Sequence, residues 1–299
     1  MAARTLTTLV EGGHFYEGPR WRDGRWWVSD FYAHQVQTVT PDGTVEVVVE
    51  VPGQPSGLGW LPDGSLVITS MKDQRILRLA DGALTELADL SGLAGGHLND
   101  LVTDAAGHTF VGNFGFDLMG GGDPATAALI RVDADGTVAV AAEDLHFPNG
   151  SVITPDGRTL IVGETTGNRY TAFDLAADGT LSNRRTWASF GALPEADTFV
   201  EGLAQITVAP DGCTLDAEGH IWAADALGNR AVLVAEGGEI LDEIPAPEGL
   251  GVYACQLGGP DGRTLLLCAA PDFFEHNRAG ATEAVLLTTT VDVPHAGLP

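Results

Sequence analysis

Residues 155–164 read PDGRTLIVGE, a tight-turn signal followed directly by a short run of β-branched and apolar residues. The same pattern occurs five more times: RDGRWWVSD at 22–30, PDGSLVITS at 62–70, DAAGHTFVGN at 104–113, DAEGHIWAAD at 216–225 and PDGRTLLLCA at 260–269. The first aspartates of the six copies are 40 to 60 residues apart. A four-stranded blade of a β-propeller with variable loops occupies about this length of chain.

A second series of Asp-Gly turns alternates with the first in four of the intervals, as TPDGTVEVV at 40–48, LADGALTEL at 79–87, VDADGTVAV at 132–140 and LAADGTLSN at 175–183. Asp-Gly supplies the positive φ that a two-residue hairpin loop requires, so each period is expected to hold two hairpins. Helical periodicity is scarce. The sequence predicts an all-β, six-bladed β-propeller with four antiparallel strands per blade, forming one domain over residues 1–299. A large β-sandwich is the alternative.

The two ends of the chain are expected to close this ring. Residues 4–10 and 284–293 both have the composition of strands, and we expect the first segment to be the outer strand beside the second. Such a pairing removes the open edge that a repeat array would otherwise leave.

The amino-acid composition limits the kinds of partner that this protein is expected to bind. The chain has 299 residues, of which 44% are hydrophobic and 19% charged, and its formal net charge is −26. A field of that sign repels phosphate backbones and anionic lipid headgroups, so neither nucleic acid nor membrane is an expected partner. Three cysteines without C-x-x-C spacing argue against a disulfide framework, and no secretory signal precedes Glu11. We expect a cytoplasmic protein that acts on a small molecule as a monomer or small homo-oligomer.

The residues ahead of each turn are the candidates for a shared site, because the innermost strands of all blades meet at the central channel. These residues are Glu17, Ser56, Asn99, Asn149, Asp211 and Tyr253. Two carboxylates and two amides in this set are the ligands that hard divalent cations prefer. Taken singly, Asn149 and Asp211 are also ordinary turn residues.

Several segments together resemble the regucalcin (senescence marker protein) and gluconolactonase family. They are EGPRW at 17–21, PSGL at 55–58, ND at 99–100, FPNGSVITPDGRTL at 147–160, DGTLSNRRTW at 178–187 and PDG-x-x-x-DAEGHIWAAD at 210–225. The ordered set spans most of the chain, from about residue 15 to residue 270. The resemblance implies a six-bladed propeller with one divalent metal in its channel and, for many members, hydrolysis of sugar lactones or related esters.

The resemblance also implies roles for individual residues. Glu17, Asn149 and Asp211 fall on metal-ligand positions, Asn99 on a position for a further ligand or a substrate contact, and Asp211 on that of the general base. Calcium is the first candidate cation, with Mn²⁺, Zn²⁺, Mg²⁺ and Fe²⁺ as alternatives. The family often has Arg two residues before the Asn of the ND motif, whereas this chain has His97.

Aromatic and polar residues near the proposed ligands are candidates for binding substrate: Tyr16, His97, Asn99, Phe114 and His146. The glycine-rich residues 112–124 are a possible flap over the channel. Glu164 and Asp225 are expected to be solvated strand ends.

These observations predict a metal-dependent lactonase. Two alternatives remain open: a non-enzymatic metal-binding or partner-binding propeller, and a relative with changed chemistry such as a phosphotriesterase or a strictosidine synthase-like enzyme.

Overall fold

Six four-stranded antiparallel sheets form the protein in a computed structural model, which describes residues 4–196 and 198–297. The first strand of each sheet contacts the first strand of the next, and the sixth sheet contacts the first, so the ring is closed. The predicted six-bladed β-propeller is therefore confirmed, and the β-sandwich is excluded.

The strands are numbered along the chain, and β1 (Thr7–Gly13) belongs to the last blade. Blade one contains β2 (Tyr16–Arg22), β3 (Arg25–Asp30), β4 (Gln35–Val39) and β5 (Val45–Glu50). Blade two contains β6 (Pro55–Trp60), β7 (Leu66–Ser70), β8 (Arg75–Ala80) and β9 (Ala83–Asp89). Blade three contains β10 (Leu98–Thr103), β11 (Thr109–Asn113), β12 (Ala127–Val132) and β13 (Val138–Leu145).

The remaining blades follow in the same order. Blade four contains β14 (Pro148–Ile153), β15 (Thr159–Glu164), β16 (Arg169–Leu175) and β17 (Leu181–Ser189). Blade five contains β18 (Pro210–Leu215), β19 (Ile221–Asp225), β20 (Arg230–Val234) and β21 (Ile240–Pro245). Blade six contains β22 (Gly251–Gly258), β23 (Thr264–Ala270) and β24 (Ala284–Thr290), together with β1.

Two of the Asp-Gly pairs form the expected two-residue turns, whereas Asp63-Gly64 and Asp156-Gly157 lie in five-residue connections in which only the glycine has positive φ. Asp23 and Gly24 both have positive φ, at 53° and 75°, and connect the paired strands β2 and β3 by two residues. Asp81 and Gly82 do the same between β8 and β9, with φ of 51° and 76°. Positive φ at both central residues is the type I′ turn, whose twist matches that of antiparallel strands.

The two ends of the chain close the ring as predicted. Strand β1 runs antiparallel to β24, with Thr7 opposite Thr288 and Gly13 opposite Ala284. The outer strand of blade six thus comes from the N-terminal segment and covers the edge of β24.

Neighbouring inner strands approach one another very closely around the channel. Gly18 has a φ of +53°, and a Cβ atom there would lie 2.3 Å from the carbonyl oxygen of Ser56 on the next blade. A Cβ atom on Gly150 would lie 2.2 Å from the carbonyl oxygen of Asp211. Glycine at these positions is required because no larger residue fits between the strands.

Helix is confined to two short segments among the described residues, α1 (Phe199–Leu203) and α2 (Glu275–Arg278). The first lies within the long connection between β17 and β18, and Thr198 caps it by accepting a hydrogen bond from the backbone N–H of Glu201. Neither helix is long and apolar enough to cross a membrane.

Candidate active site in the central channel

The side chains of the candidate site occupy the same position on the inner strands of successive blades. Glu17, Ser56, Asn99, Asn149 and Asp211 are each the second residue of the first strand of a blade. In all six blades the pairing register of this strand shifts close to that position. Such bulges twist a strand locally and redirect its side chains. All five side chains, together with Tyr253 of β22, line one cavity.

The cavity encloses about 770 Å³ of empty space, part of it open to solvent.

Two carboxylates face this cavity, that of the buried Glu17 and that of the half-buried Asp211. Oε2 of Glu17 accepts a hydrogen bond of 3.0 Å from the backbone N–H of Gly18. Oδ1 of Asp211 accepts one of 3.0 Å from the N–H of Gly212 and one of 2.6 Å from Nδ2 of Asn149. No ion pair to either carboxylate is formed within residues 4–196 and 198–297.

Burial without a cationic partner changes the acidity of both carboxyls. It raises the pKa of Glu17 well above its ordinary value, and the adjacent charge of Asp211 adds to this effect. Burial likewise raises the pKa of Asp211 to about 8, and the charge of Asp100 adds to it. A cation between these two carboxyls would favour their ionised forms and lower both pKa values.

The two amides supply further oxygens. Nδ2 of Asn99 donates to the carbonyl oxygen of Pro148 at 3.0 Å, while Oδ1 of Asn99 is buried with no hydrogen-bond partner. Nδ2 of Asn149 donates to Oγ1 of Thr165 at 3.1 Å as well as to Asp211, which leaves its amide oxygen outside both bonds. A buried acceptor without a donor is costly, so the unpaired oxygen of Asn99 indicates a missing partner.

The donor set therefore fits an oxygen-liganded divalent cation. Within the described chain, no three side chains of His, Cys, Asp or Glu gather as a metal-binding group. A cation in this channel would depend on two carboxylates and on amide oxygens, a combination that suits hard ions such as Ca²⁺ and Mg²⁺.

A buried ion pair lies beside these carboxylates. Nη2 of Arg20 is 2.9 Å from Oδ1 of Asp100 and also donates to the carbonyl oxygen of Leu101 at 2.6 Å. Asp100 follows Asn99 at the position that is glycine in four of the other blades. The sequence reasoning missed this pair, although the break in the glycine pattern was a usable signal.

The upper wall of the cavity comes from the residue that directly follows the second strand. In five blades this residue lines the cavity, and the five are Phe31, Met71, Phe114, Thr165 and Ala226. Only Phe114 was a candidate from the sequence. The others could have been found from the repeat itself, because each is the first residue after a repeat copy ends.

Aromatic rings stiffen this wall. The ring of Phe15 lies 5.1 Å from that of Phe31 and 4.9 Å from that of Tyr253. The rings of Phe114 and Phe147 are 4.6 Å apart. These tilted contacts fall within the spacing at which aromatic pairs attract one another.

Three of the residues predicted to bind substrate are not among the described residues that line the cavity. Tyr16 directly precedes Glu17 in β2, so its side chain points to the opposite face of the strand and is buried in the aromatic core. The ring of His97 is 5.7 Å from that of Phe114, and burial lowers its pKa. His146 lines a separate, smaller cavity with Leu203 and other residues.

Glu164 and Asp225 are fully buried, so the expectation of solvated strand ends was wrong. Glu164 accepts hydrogen bonds from Nε of Arg169 and from the backbone N–H of His146, each at 2.8 Å. Asp225 accepts bonds from Nε of Arg230 and from the N–H of Ala209, each at 3.0 Å. Both carboxylates tie the end of a second strand to the start of the inner strand of the same blade.

Comparison with known proteins extends this description. A pentonolactonase of Haloferax volcanii is 30% identical over 274 residues, covering 89% of this chain and 85% of the relative. A 6-deoxy-6-sulfogluconolactonase of Pseudomonas putida is 26% identical, covering 91% and 88%.

A solved calcium-binding protein, regucalcin, of Agrobacterium tumefaciens superposes with a TM-score of 0.78 at 22% identity. The match covers 100% of this chain and 99% of that one. The family model described as SMP-30/Gluconolactonase/LRE-like region matches residues 15–271. The chain therefore belongs to the SMP-30/gluconolactonase/LRE-like family.

Proposed function

We propose that this protein is a lactonase that uses one divalent cation, with Asp211 as the general base. The observation that carries the proposal is the cavity in which Glu17 and Asp211 lack a cationic partner beside the unpaired oxygen of Asn99. The names of the pentonolactonase and sulfogluconolactonase relatives support lactone hydrolysis as the reaction.

Glu17, Asn149 and Asp211 would hold the cation, with Asn99 as a fourth oxygen ligand or a contact to the substrate. Ca²⁺ is the first candidate, because the donors are all oxygen and because a structural neighbour is a calcium-binding protein. When bound, such an ion acts as a Lewis acid toward a carbonyl oxygen and lowers the pKa of water.

Asp211 is oriented for proton transfer by its neighbours. The two hydrogen bonds from Gly212 and Asn149 both end on Oδ1, and they hold the carboxylate with Oδ2 as the remaining acceptor. In the proposed reaction Oδ2 accepts a proton from water as the water oxygen bonds to the lactone carbonyl carbon. The bond between that carbon and the ring oxygen then breaks, the ring oxygen takes up the proton, and a hydroxy acid is released.

The apolar wall supports this chemistry. Phe15, Phe31, Phe114 and Phe147 make part of the cavity surface apolar, and charge interactions are stronger where the surroundings are less polar. Arg20 is paired with Asp100 and forms no ion pair with either ligand carboxylate, although its charge acts to lower the pKa of Glu17.

The direct test removes metal with a chelator and restores Ca²⁺, Mn²⁺, Zn²⁺, Mg²⁺ and Fe²⁺ one at a time. Acid release is followed from a panel of sugar lactones, aliphatic lactones and a phosphotriester at neutral pH. We expect chelated protein to be inactive and one cation to restore hydrolysis of a lactone.

Three results would contradict the proposal. Full activity in the chelator would remove the role of the cation. Tight metal binding without hydrolysis of any lactone would favour a binding propeller, and hydrolysis of the phosphotriester alone would indicate changed chemistry.

A further inference from the structure

We infer that the substrate is a lactone bearing an alkyl or aryl substituent, in preference to a polyhydroxylated sugar lactone. This inference rests on the proposed function and concerns the same cavity. It comes from the chemistry of the wall, which differs sharply from that of the ligand set.

The wall is apolar on several sides. Among the described residues that line the cavity, the apolar side chains include Phe31, Met71, Phe114, Leu118, Leu227 and Phe273. They belong to loops of five blades, so the apolar surface surrounds the ligand set and is not a single patch. An alkyl or aryl group gains free energy in proportion to the area it buries on such a surface.

Apart from the proposed ligands and Thr165, the described lining residues offer a sugar hydroxyl only the hydroxyl groups of Ser56, Thr166 and Tyr253. The described lining residues include no arginine, lysine, histidine or glutamine. Oγ1 of Thr165 already donates to the carbonyl oxygen of Pro210 at 2.7 Å and accepts from Asn149. Lys72, the one lysine of the chain, is held 2.7 Å from Glu275. A sugar hydroxyl buried against this wall loses its hydrogen bonds to water without replacement.

The wall is also fixed in place before any ligand arrives. Phe15, Phe31, Phe114, Phe147 and Tyr253 are all buried and belong to one hydrophobic cluster. Such a wall has little conformational freedom left to lose on binding. It therefore selects substituents by shape and apolarity.

The test compares three γ-lactones that share one ring: unsubstituted γ-butyrolactone, γ-nonalactone with its pentyl chain, and D-ribono-γ-lactone with its hydroxyl groups. Their kcat/KM values are measured on the metal-loaded protein. We expect γ-nonalactone to exceed each of the other two by at least about tenfold. Equal rates, or a preference for the ribonolactone, would overturn the inference and leave the proposed lactonase function intact.

Variants at the rim of the cavity test the wall directly. Leu227 and Met119 line the cavity yet are 41% and 37% exposed, so polar replacements at these positions are compatible with the fold. The double variant Leu227→Gln/Met119→Gln should lower the ratio of kcat/KM for γ-nonalactone to that for γ-butyrolactone about fivefold or more. Leu93→Gln is the matched control, since Leu93 is 42% exposed but is not among the lining residues. Equal losses on both lactones, or in the control, would contradict the inference.

Binding of lactams separates this inference from the lactonase proposal, because the amide ring resists hydrolysis. Calorimetric titration compares the pentyl-substituted γ-lactam with a hydroxylated γ-lactam. If none of the lactones is hydrolysed, the lactonase proposal fails. At least about tenfold tighter binding of the pentyl lactam would then still support an apolar ligand class. Equal or weaker binding of the pentyl lactam would overturn it.

Discussion

Two pairs of acids in this propeller have opposite surroundings. Glu164 and Asp225 end second strands and are neutralised by Arg169 and Arg230 and by backbone N–H groups. Glu17 and Asp211 lie on inner strands, and neither forms an ion pair with a cationic side chain of the described residues.

The pKa values respond to this difference. Burial alone would raise the pKa of Glu164, yet the hydrogen bonds from Arg169, Thr171 and His146 outweigh it and lower that pKa. The pKa of Glu17 and that of Asp211 are raised. One pair of acids therefore stabilises the blades, whereas the other has no cationic partner until a ligand supplies one.

The largest expected effect comes from a matched pair of substitutions within blade five. Asp211→Asn removes the proposed base and one charge of the cation site, so kcat/KM on a hydrolysed lactone should fall by about a thousandfold. Asp225→Asn makes the same chemical change one strand away, and its activity should stay within about threefold at a temperature where circular dichroism shows it folded. Comparable losses in both variants would contradict the distinction between the two pairs.

Substitution at Asp225 should reduce stability more than substitution at Asp211, the reverse of their effects on activity. Asp225→Asn weakens the charged hydrogen bond from Arg230, and we expect a loss of about 2 kcal/mol in the free energy of unfolding. Asp211→Asn should not destabilise the metal-free protein, because it removes a half-buried carboxylate that lacks a cationic partner. Urea unfolding in a chelator measures both values. A less stable Asp211→Asn variant would show that this carboxylate supports the fold.

The stability of the metal-free protein should depend on pH through the raised pKa of Asp211. A carboxyl whose pKa is raised in the folded state binds its proton more tightly there than in the unfolded state. Its contribution to stability is therefore lost as the pH rises from about 4 to about 8. The wild type should lose at least about 1 kcal/mol relative to Asp211→Asn across this window, since each unit of pKa difference corresponds to about 1.4 kcal/mol. Thermal unfolding in a chelator at several pH values tests this, and parallel curves for the two proteins would contradict it.

The smallest expected effect is at Ser56, which has the same strand position as the ligand residues but carries a hydroxyl. Ser56→Ala should change kcat/KM by less than about threefold, because a neutral hydroxyl adds little to a set that already has two carboxylates and two amides. Steady-state kinetics measures the change. A loss as large as that of Asp211→Asn would add Ser56 to the proposed ligand set.

The fold and the site differ in how far the sequence predicts them. Turn residues such as Asp23 and Gly24 determine the local backbone φ, so the repeat of turns predicted the blades. The strand-like composition of the two chain ends predicted that β1 closes the ring. One position of the inner strand recurs from blade to blade and carries Glu17, Asn99, Asn149 and Asp211. The repeat therefore predicted that these side chains meet in the channel.

The residues that form the cavity wall were harder to predict, because they lie in loops or depend on which face of a strand a side chain occupies. Tyr16 points away from the channel since successive side chains of a strand alternate. His97 lies against Phe114, which itself faces the cavity. The ion pair between Arg20 and Asp100 joins residues 80 positions apart, and no short-range pattern shows such a contact. The proposed mobility of residues 112–124 stays a prediction, although Phe114, Leu118 and Met119 of that segment do line the cavity.

The most direct test of the central claim is a calorimetric titration of Ca²⁺ into three metal-free proteins: the wild type, Asp211→Asn and Asp225→Asn. If Glu17 and Asp211 form a cation site, the wild type and Asp225→Asn should bind one ion with similar affinity. The affinity of Asp211→Asn should be at least about a hundredfold weaker. Undiminished binding by Asp211→Asn would contradict the claim that the unneutralised acids of the channel hold the cation.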